Sequence, residues 1–286
     1  MTAAGTTALV RRMADADIPQ VATVTAEAFA TDISTPLRRT IWEQRLRHSL
    51  LVDPAGSFVS ERAGRVTGAA QAVIREGVWI LSLMAVSPTL GEGGEGRALM
   101  DATLGYDRGA VGGLIVASDD PRALRLYASS GFALEPTFKA GGPLDPALIP
   151  ALDPAISAVD PERLDTLAPI SRAVRGAAHT PDLEVARFRG SAFFQIEDRG
   201  FVVTTPGRGI WMLAARDEQA ATALLWFGLA QLDDEPQVEI GWITGRQQWA
   251  LDVCLAARLS FNTYGAIATR GTVGPLQPYI PSPPFA

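Results

Sequence analysis

The stretch that decides the fold reads Ala85-Val-Ser-Pro-Thr-Leu-Gly-Glu-Gly-Gly-Glu-Gly-Arg-Ala-Leu-Met100. An apolar run over residues 78–86 predicts a strand that leads into it, and the apolar spacing over residues 97–106 predicts a helix that follows it. Glycine tolerates positive φ and has no Cβ, so the amides of such a loop and the helix N-terminus can hold a phosphate. A glycine-rich loop alone is equally typical of an ordinary flexible turn, so its surroundings decide between the two.

The rest of the first half alternates strand and helix signals. The predicted strands cover residues 8–13, 57–62, 66–74, 78–86, 113–118 and 132–139. A first helix is predicted to begin at Asp15 or Asp17, and three further helices are predicted over residues 37–51, 97–106 and 121–130. Tight turns at residues 63–65 and 76–77 join three of the strands into an antiparallel meander. The pattern predicts an α/β (α+β) layered architecture rather than a bundle or a sandwich.

The second half repeats this general order after a segment rich in Pro, Gly, Asp and Ala. We predict a domain over residues 1–141, a linker over 142–160 and a second domain over 161–286. Within the second domain the predicted helices cover residues 161–175, 217–232 and 247–257, and the predicted strands cover 191–197, 201–205, 210–213 and 238–243. The proline-rich tail, residues 274–286, cannot form a helix or a central strand, which predicts an extended arm packed on the body.

Composition excludes several classes of protein. The 286 residues carry a net charge of −6, which argues against nucleic-acid binding, and no apolar run is long enough to predict a membrane span. The single cysteine, Cys254, allows no intramolecular disulfide, and no spaced cysteine or histidine cluster predicts a metal site. We therefore expect a cytoplasmic protein without a metal; the sequence leaves its oligomeric state open.

Two motifs in the first half resemble those of the GNAT acyltransferase superfamily. Ala85-Val-Ser-Pro88, followed by Gly94-Glu-Gly-Arg-Ala-Leu-Met100, resembles its coenzyme-A-binding motif, and Ser118-Asp-Asp-Pro-Arg-Ala-Leu-Arg-Leu-Tyr-Ala-Ser-Ser-Gly-Phe132 resembles its next motif. Two motifs in this order and at this distance are much more specific than either alone. The resemblance implies two GNAT-like domains, each a mostly antiparallel mixed sheet flanked by helices, with acetyl-CoA or another acyl-CoA as the cofactor.

The resemblance also implies roles for particular residues. Backbone groups at the end of the strand would bond the pantetheine arm and polarise the thioester; these belong to Met84, Ala85 and Val86. The loop and the helix start would bind the pyrophosphate through Gly94, Gly96 and Arg97. Asp120 stands where asparagine is common. Tyr127 stands where the family often has a general acid, because a phenol is protonated at neutral pH. The alternative for Tyr127 is a half-buried packing residue.

The sequence also departs from the family pattern. Glu92 and Glu95 lie in the loop, where each would repel a pyrophosphate by about 1 kcal/mol if solvated, which predicts weak binding. Arg97 and the exposed backbone amides would partly offset this repulsion, provided that both glutamates point to solvent. The strand carries no glutamate that could act as a general base and offers only Ser82. Glu27, Asp32 and His48 are the other base candidates, although the first two are more typical of solvated surface acids and a lone histidine is usually structural.

The second half resembles the C-terminal domain of tandem GNAT proteins more faintly. Residues 243–257 look like a decayed second motif, and aligning the helices places Cys254 where Tyr127 stands in the first half, although a mid-helix cysteine is usually a buried small hydrophobe. Residues 213–218 contain no glycine for a phosphate loop, which predicts a structural second domain.

The sequence thus supports three hypotheses for the whole chain. The leading one is an acyltransferase that acts on the amine of a small-molecule acceptor. The second is a catalytically inactive GNAT-like pair that binds a ligand or partner without acyl transfer. The third is the same fold reused for unrelated chemistry.

Overall fold

The computed structural model describes residues 8–89, 94–207, 209–232 and 237–286. The chain forms two compact units, one comprising Met1–Ile74 and Trp79–Ala110 and the other Arg75–Val78 and Val111–Ala286. Both units combine helices with sheets, so the predicted α/β layered architecture is confirmed. The two domains predicted over residues 1–141 and 161–286, with a linker over 142–160, stay a prediction.

The first unit is built on an antiparallel meander. Its strands lie in the order β1-β2-β3-β4, and their bounds are Leu9–Arg12, Ser57–Arg62, Arg65–Arg75 and Val78–Val86. Helices α1 (Ile18–Ala28), α2 (Pro36–Val52) and α3 (Glu95–Leu104) accompany them. Apolar side chains of α1 and α2, among them Ile18, Val21 and Leu46, pack with strand residues such as Val59 and Leu83 into one buried core.

The start of α1 differs from the prediction in one detail. Asp17 stands at the N-cap position, but its side chain makes no capping hydrogen bond. Instead the carboxylate accepts from the Ala14 amide at 2.8 Å and pairs with Arg11 at 2.7 Å. The charged partner on β1 is the stronger donor, so Asp17 ties the helix to the edge strand.

The second unit contributes four consecutive strands to a sheet, and these strands come from both halves of the chain. Strands β5 (Gly112–Ala117), β6 (Ala133–Gly142), β11 (Val238–Thr244) and β12 (Ser260–Gly271) lie in the order β5-β12-β6-β11, and every neighbouring pair is antiparallel. Helix α4 (Pro121–Ser129) joins β5 to β6, and α8 (Gln248–Ala256) joins β11 to β12. Two strand–helix–strand segments therefore interleave, each inserting its second strand into the other.

The same unit contains a second antiparallel sheet, in the order β13-β10-β9-β8-β7. Its strands are β7 (Ser157–Ala158), β8 (Ala192–Ile196), β9 (Gly200–Thr205), β10 (Gly209–Ala215) and β13 (Tyr279–Ile280), and helices α5 (Ala168–Arg175), α6 (Leu183–Phe188) and α7 (Glu218–Ala230) lie between them in sequence. The predicted helix over residues 161–175 begins as a 3₁₀ segment, Pro161–Leu167, and only then becomes α5. Helix α6 and strand β12 had no sequence prediction.

The proline-rich tail is the extended arm that the sequence predicts. Tyr279 and Ile280 pair with β10 at the edge of the sheet, and Phe285 is fully buried. The buried Arg175 side chain donates to the carbonyl oxygens of Phe285 and Ala286. Prolines fit this position because an edge strand tolerates a missing donor. No helix among the described residues has the length and apolarity that a membrane span requires.

Candidate active site

Among the described residues, no side chain caps the N-terminus of helix α3, which we therefore call open. Gly94 is its N-cap, with φ of 73°, and a Cβ built there would meet no atom within 4 Å. Glycine is therefore favoured by the left-handed backbone and not by crowding. The amides of Glu95, Gly96 and Arg97 have no acceptor within the helix, since the first turn of an α-helix leaves its donors unused. Gly94 and Arg97 are exposed, whereas Gly91, Glu92 and Gly93 lie outside the described residues.

The condition that Glu95 points to solvent is not met. Its side chain is buried against the β2–β3 hairpin, where the carboxylate accepts from Ser60 Oγ at 2.9 Å and Thr67 Oγ1 at 2.7 Å and pairs with Arg62. A buried carboxylate needs such partners, because removing it from water without them is costly. Its charge is thus balanced inside the protein and does not face the helix mouth.

The end of β4 lies next to this network. Ala85 is buried and Met84 and Val86 are half-buried, while the amide of the following Ser87 donates to the carbonyl oxygen of Thr67 at 2.8 Å. On the neighbouring strand β3, Gly68 leaves no room for a side chain. A Cβ there would lie 2.9 Å from the carbonyl oxygen of Ala85. The position of the Ala85 backbone therefore depends on glycine at 68.

Asp120 precedes helix α4 of the second unit, and Tyr127 lies within it. Asp120 caps this helix, accepting from the Arg122 amide at 2.8 Å, and pairs with the Arg122 guanidinium at 2.9 Å, which lowers the pKa of the carboxyl. Tyr127 is buried, and its hydroxyl has no hydrogen-bond partner among the described residues. Burial, with a smaller contribution from the charge of Asp120, raises the pKa of Tyr127. The phenol is therefore protonated at neutral pH.

The base candidates on the first unit differ in their surroundings. Ser82 is buried, with its hydroxyl 3.4 Å from that of Ser49 and its carbonyl oxygen bound by Arg45 at 2.6 Å. His48 is buried on α2. Ser82 and His48 are therefore parts of the packed interior of this unit.

The two acidic candidates, Glu27 and Asp32, line an open cavity of ≈ 300 Å³ beside the end of α1. The Asp32 carboxylate pairs with Arg38 and accepts from the Ser34 amide. That of Glu27 is exposed and has no side-chain partner among the described residues.

Helix α7, which corresponds to α3 by its order in the second half, has a closed N-terminus. Asp217 is its N-cap and accepts from the Ala220 amide at 2.8 Å, and the same carboxylate pairs with Arg199 at 2.7 Å. A side-chain carboxylate thus occupies the position that an anion would take. Cys254 is fully buried in α8, and burial raises the pKa of its thiol to about 12, as expected for a small hydrophobe rather than a nucleophile.

Sequence reasoning did not identify Arg62 and Thr67 as site residues. Both lie on a hairpin about thirty positions before the loop, and only the fold shows that they hold Glu95. The one available signal in the sequence was Glu95 itself, a charged residue between two glycines. If its side chain is buried, its carboxylate needs hydrogen-bond donors from elsewhere in the fold. Over the described residues, no group of histidine, cysteine, aspartate or glutamate side chains is arranged to hold a metal ion.

Comparison with known proteins gives a consistent result. Residues 22–132 match the model of the Acetyltransferase (GNAT) family. A solved "Putative Acetyltransferase" from Pyrococcus horikoshii is 18% identical, with 96% of this chain and 94% of that chain covered and a TM-score of 0.77. A GCN5-related N-acetyltransferase from Sphaerobacter thermophilus is 16% identical, with 92% of this chain and 95% of that chain covered and a TM-score of 0.57. A tandem GNAT protein from the clavulanic acid biosynthesis pathway is 18% identical, with 92% of this chain and 98% of that chain covered and a TM-score of 0.59. At these identities the likeness shows the fold, and no curated protein sequence matches the chain.

Proposed function

Because residues 22–132 form an acetyltransferase domain of the GNAT family, we propose that the chain transfers an acetyl or other short acyl group from acyl-CoA to the amine of a small-molecule acceptor. The family in general uses acyl-CoA. The observation that carries the proposal for this chain is the open N-terminus of α3 behind Gly94, from which the charge of Glu95 is turned away. With a single buried cysteine and an acidic composition, we place the protein in the cytoplasm.

The pyrophosphate of the cofactor would lie at the start of α3. Amides of Gly96 and Arg97, in the first turn of the helix, would donate to it, and the helix dipole and the Arg97 charge would add to the attraction. The pantetheine arm would run along the end of β4, bonded by backbone groups of Met84, Ala85 and Val86.

The reaction is a direct attack on the thioester. The lone pair of the acceptor amine forms a bond to the carbonyl carbon, the C–S bond breaks, the amine loses a proton, and the thiolate of coenzyme A gains one. Positioning and polarisation of the carbonyl by strand amides supply most of the rate enhancement. Tyr127 would donate the proton to the thiolate; its raised pKa keeps the proton available but makes it a weak acid, so its hydrogen bond to the developing thiolate matters as much as the transfer.

The acceptor would enter beside the end of α1. The cavity there has a volume of ≈ 300 Å³, which suits a small molecule, and it is lined by the carboxylates of Glu27 and Asp32. Asp32 is paired with Arg38, so Glu27 remains to attract a protonated amine and to accept its proton. This assignment supports a cationic amine as the acceptor.

The alternative is a GNAT-like pair that binds a ligand or partner without acyl transfer. It is favoured by the absence of a carboxylate on β4 and by the closed N-terminus of α7. Under this alternative, acyl-CoA would fail to bind or would bind without turnover in the presence of amines.

Calorimetric titration with acetyl-CoA tests the proposal. We expect micromolar binding that Gly94→Glu or Arg97→Glu weakens by at least about tenfold, because a negative charge is placed at the anion site. Gly109→Glu is the matched control, since Gly109 has a similar φ of 76° and equally open surroundings in the same unit. If acetyl-CoA at millimolar concentration does not bind, the transferase proposal is wrong.

A further inference from the structure

We propose that Glu95 is a positioning residue for the cofactor, and that the Glu95 tether, formed by Glu95 with Ser60, Arg62 and Thr67, sets the affinity for the pyrophosphate of acyl-CoA. The inference rests on the proposed function and deepens it. It reverses the expectation from the sequence, in which this glutamate opposes phosphate binding.

The tether holds the first turn of α3 against the β2–β3 hairpin. Glu95 is the first residue of the helix and is only 4% exposed. Both of its carboxylate oxygens are bound, one by Arg62 and the other by the hydroxyls of Ser60 and Thr67 at 2.9 and 2.7 Å. Three donors from two strands therefore fix the direction of the first helical turn.

Thr67 connects this turn to the end of β4. Its hydroxyl donates to Glu95, while its carbonyl oxygen accepts from the amide of Ser87 at 2.8 Å. The residue just after β4 and the residue that opens α3 are thus held by the same position on β3. The two parts of the proposed cofactor site, the strand end and the helix mouth, are spaced by this one residue.

The charge balance makes the arrangement compatible with an anion. The Arg62 guanidinium, 26% exposed, pairs with a Glu95 carboxylate that is 2% exposed. The pair carries no net charge, so Glu95 does not repel a phosphate at the helix mouth, and the amides of the first turn stay directed outward. Binding then requires little ordering of this turn, which is the general source of affinity in a preorganised site.

The test compares two probes, acetyl-CoA and S-acetylpantetheine, which lacks the pyrophosphate. We expect Glu95→Ala to weaken acetyl-CoA binding by about tenfold and Thr67→Val by about threefold, since each removes hydrogen bonds to a charged group. Binding of S-acetylpantetheine, measured by saturation-transfer NMR at millimolar concentration, should change by less than about twofold. Thr67→Ser keeps the hydroxyl and should restore the acetyl-CoA affinity.

The control and the second variant keep the test decisive. Glu218→Ala removes the corresponding first residue of α7, which is exposed, and should leave binding unchanged. If Glu95→Ala does not fold, Thr67→Val decides, because it preserves the volume and β-branching of the strand residue.

An equal loss for both probes, or unchanged acetyl-CoA binding in a folded Thr67→Val variant, would overturn the tether while leaving the proposed function intact. Wild-type protein that binds neither probe would overturn both.

Discussion

Replacing Gly68 with alanine should damage the fold and the proposed cofactor site together. A Cβ at this position would lie 2.7 Å from Ser60 Oγ, 2.9 Å from the Ala85 carbonyl oxygen and 3.1 Å from a methyl group of Leu99. Ser60 cannot rotate away freely because it donates to Glu95, and the Ala85 oxygen is backbone. The strand and the helix above it must therefore separate by several tenths of an ångström.

The structure sets the size of the effect. Overpacking by one methyl group in a closed site costs about 1–3 kcal/mol of the free energy of unfolding. Displacing the Ala85 backbone would weaken the proposed hydrogen bond to the pantetheine arm, and the loss of such a bond costs about 1 kcal/mol, or about fivefold in Kd. We therefore expect Gly68→Ala to lower both stability and acetyl-CoA affinity.

Urea unfolding followed by circular dichroism and calorimetric titration measure the two quantities. Gly245→Ala is the control, because a Cβ there meets no atom within 4 Å and the backbone does not have positive φ. A Gly68→Ala variant with the stability and the acetyl-CoA affinity of the control would refute the reasoning. It would show that a methyl group fits at position 68 without displacing β4.

Three further predictions concern other parts of the chain. Tyr127→Phe should lower kcat by about tenfold or more and leave acetyl-CoA affinity within about twofold, as a proton donor requires; unchanged kcat would assign the acid elsewhere. Asp182→Ala should lower the free energy of unfolding by about 3–5 kcal/mol because Arg75 loses its buried partner, whereas Glu184→Ala, in an exposed pair, should cost less than about 1 kcal/mol. Burial lowers the pKa of His179, so the folded state binds fewer protons than the unfolded chain. The stability that neutral His179 contributes should be complete above about pH 6.5 and fall below it by at most about 1.4 kcal/mol per pH unit. His179→Gln should remove this contribution, so that the pH dependence of stability in urea titrations between about pH 6.5 and 5 becomes shallower.

Local patterns predicted most of the helices and strands. The meander of β2, β3 and β4 follows from apolar runs punctuated by Ala63-Gly64 and Glu76-Gly77, and the strand–loop–helix order around residues 78–106 carries the family resemblance. These features depend on neighbours in sequence, which a single chain displays directly.

Strand β12 was missed for a physical reason. Gly265 has φ of 65° in the middle of the strand, and the pairing with β6 shifts register between Thr263 and Ala266. The irregularity interrupts the alternation of apolar and polar residues along the strand, so the sequence pattern does not predict a strand there. Glycine is needed there because a Cβ would lie 2.0 Å from the carbonyl oxygen of Ala117, a contact that only the paired sheet creates.

The direction of Glu95 could not be predicted for a related reason. A loop glutamate normally points to water, and the donors that hold it inside, Ser60, Arg62 and Thr67, come from a distant hairpin. Roles that depend on backbone groups of residues 84–86 remain predictions, because the sequence gives residue types and not the direction of carbonyl and amide groups.

The interleaved sheet has a consequence for synthesis on the ribosome. Strands β5 and β6 emerge early, but the strand that lies between them, β12, begins only at Ser260. At ordinary translation speeds the wait after β5 is on the order of ten seconds, during which both strands expose unpaired backbone edges. We therefore expect the nascent chain to be prone to aggregation during this interval, and a stop codon before β12 to leave a product with the same unpaired edges.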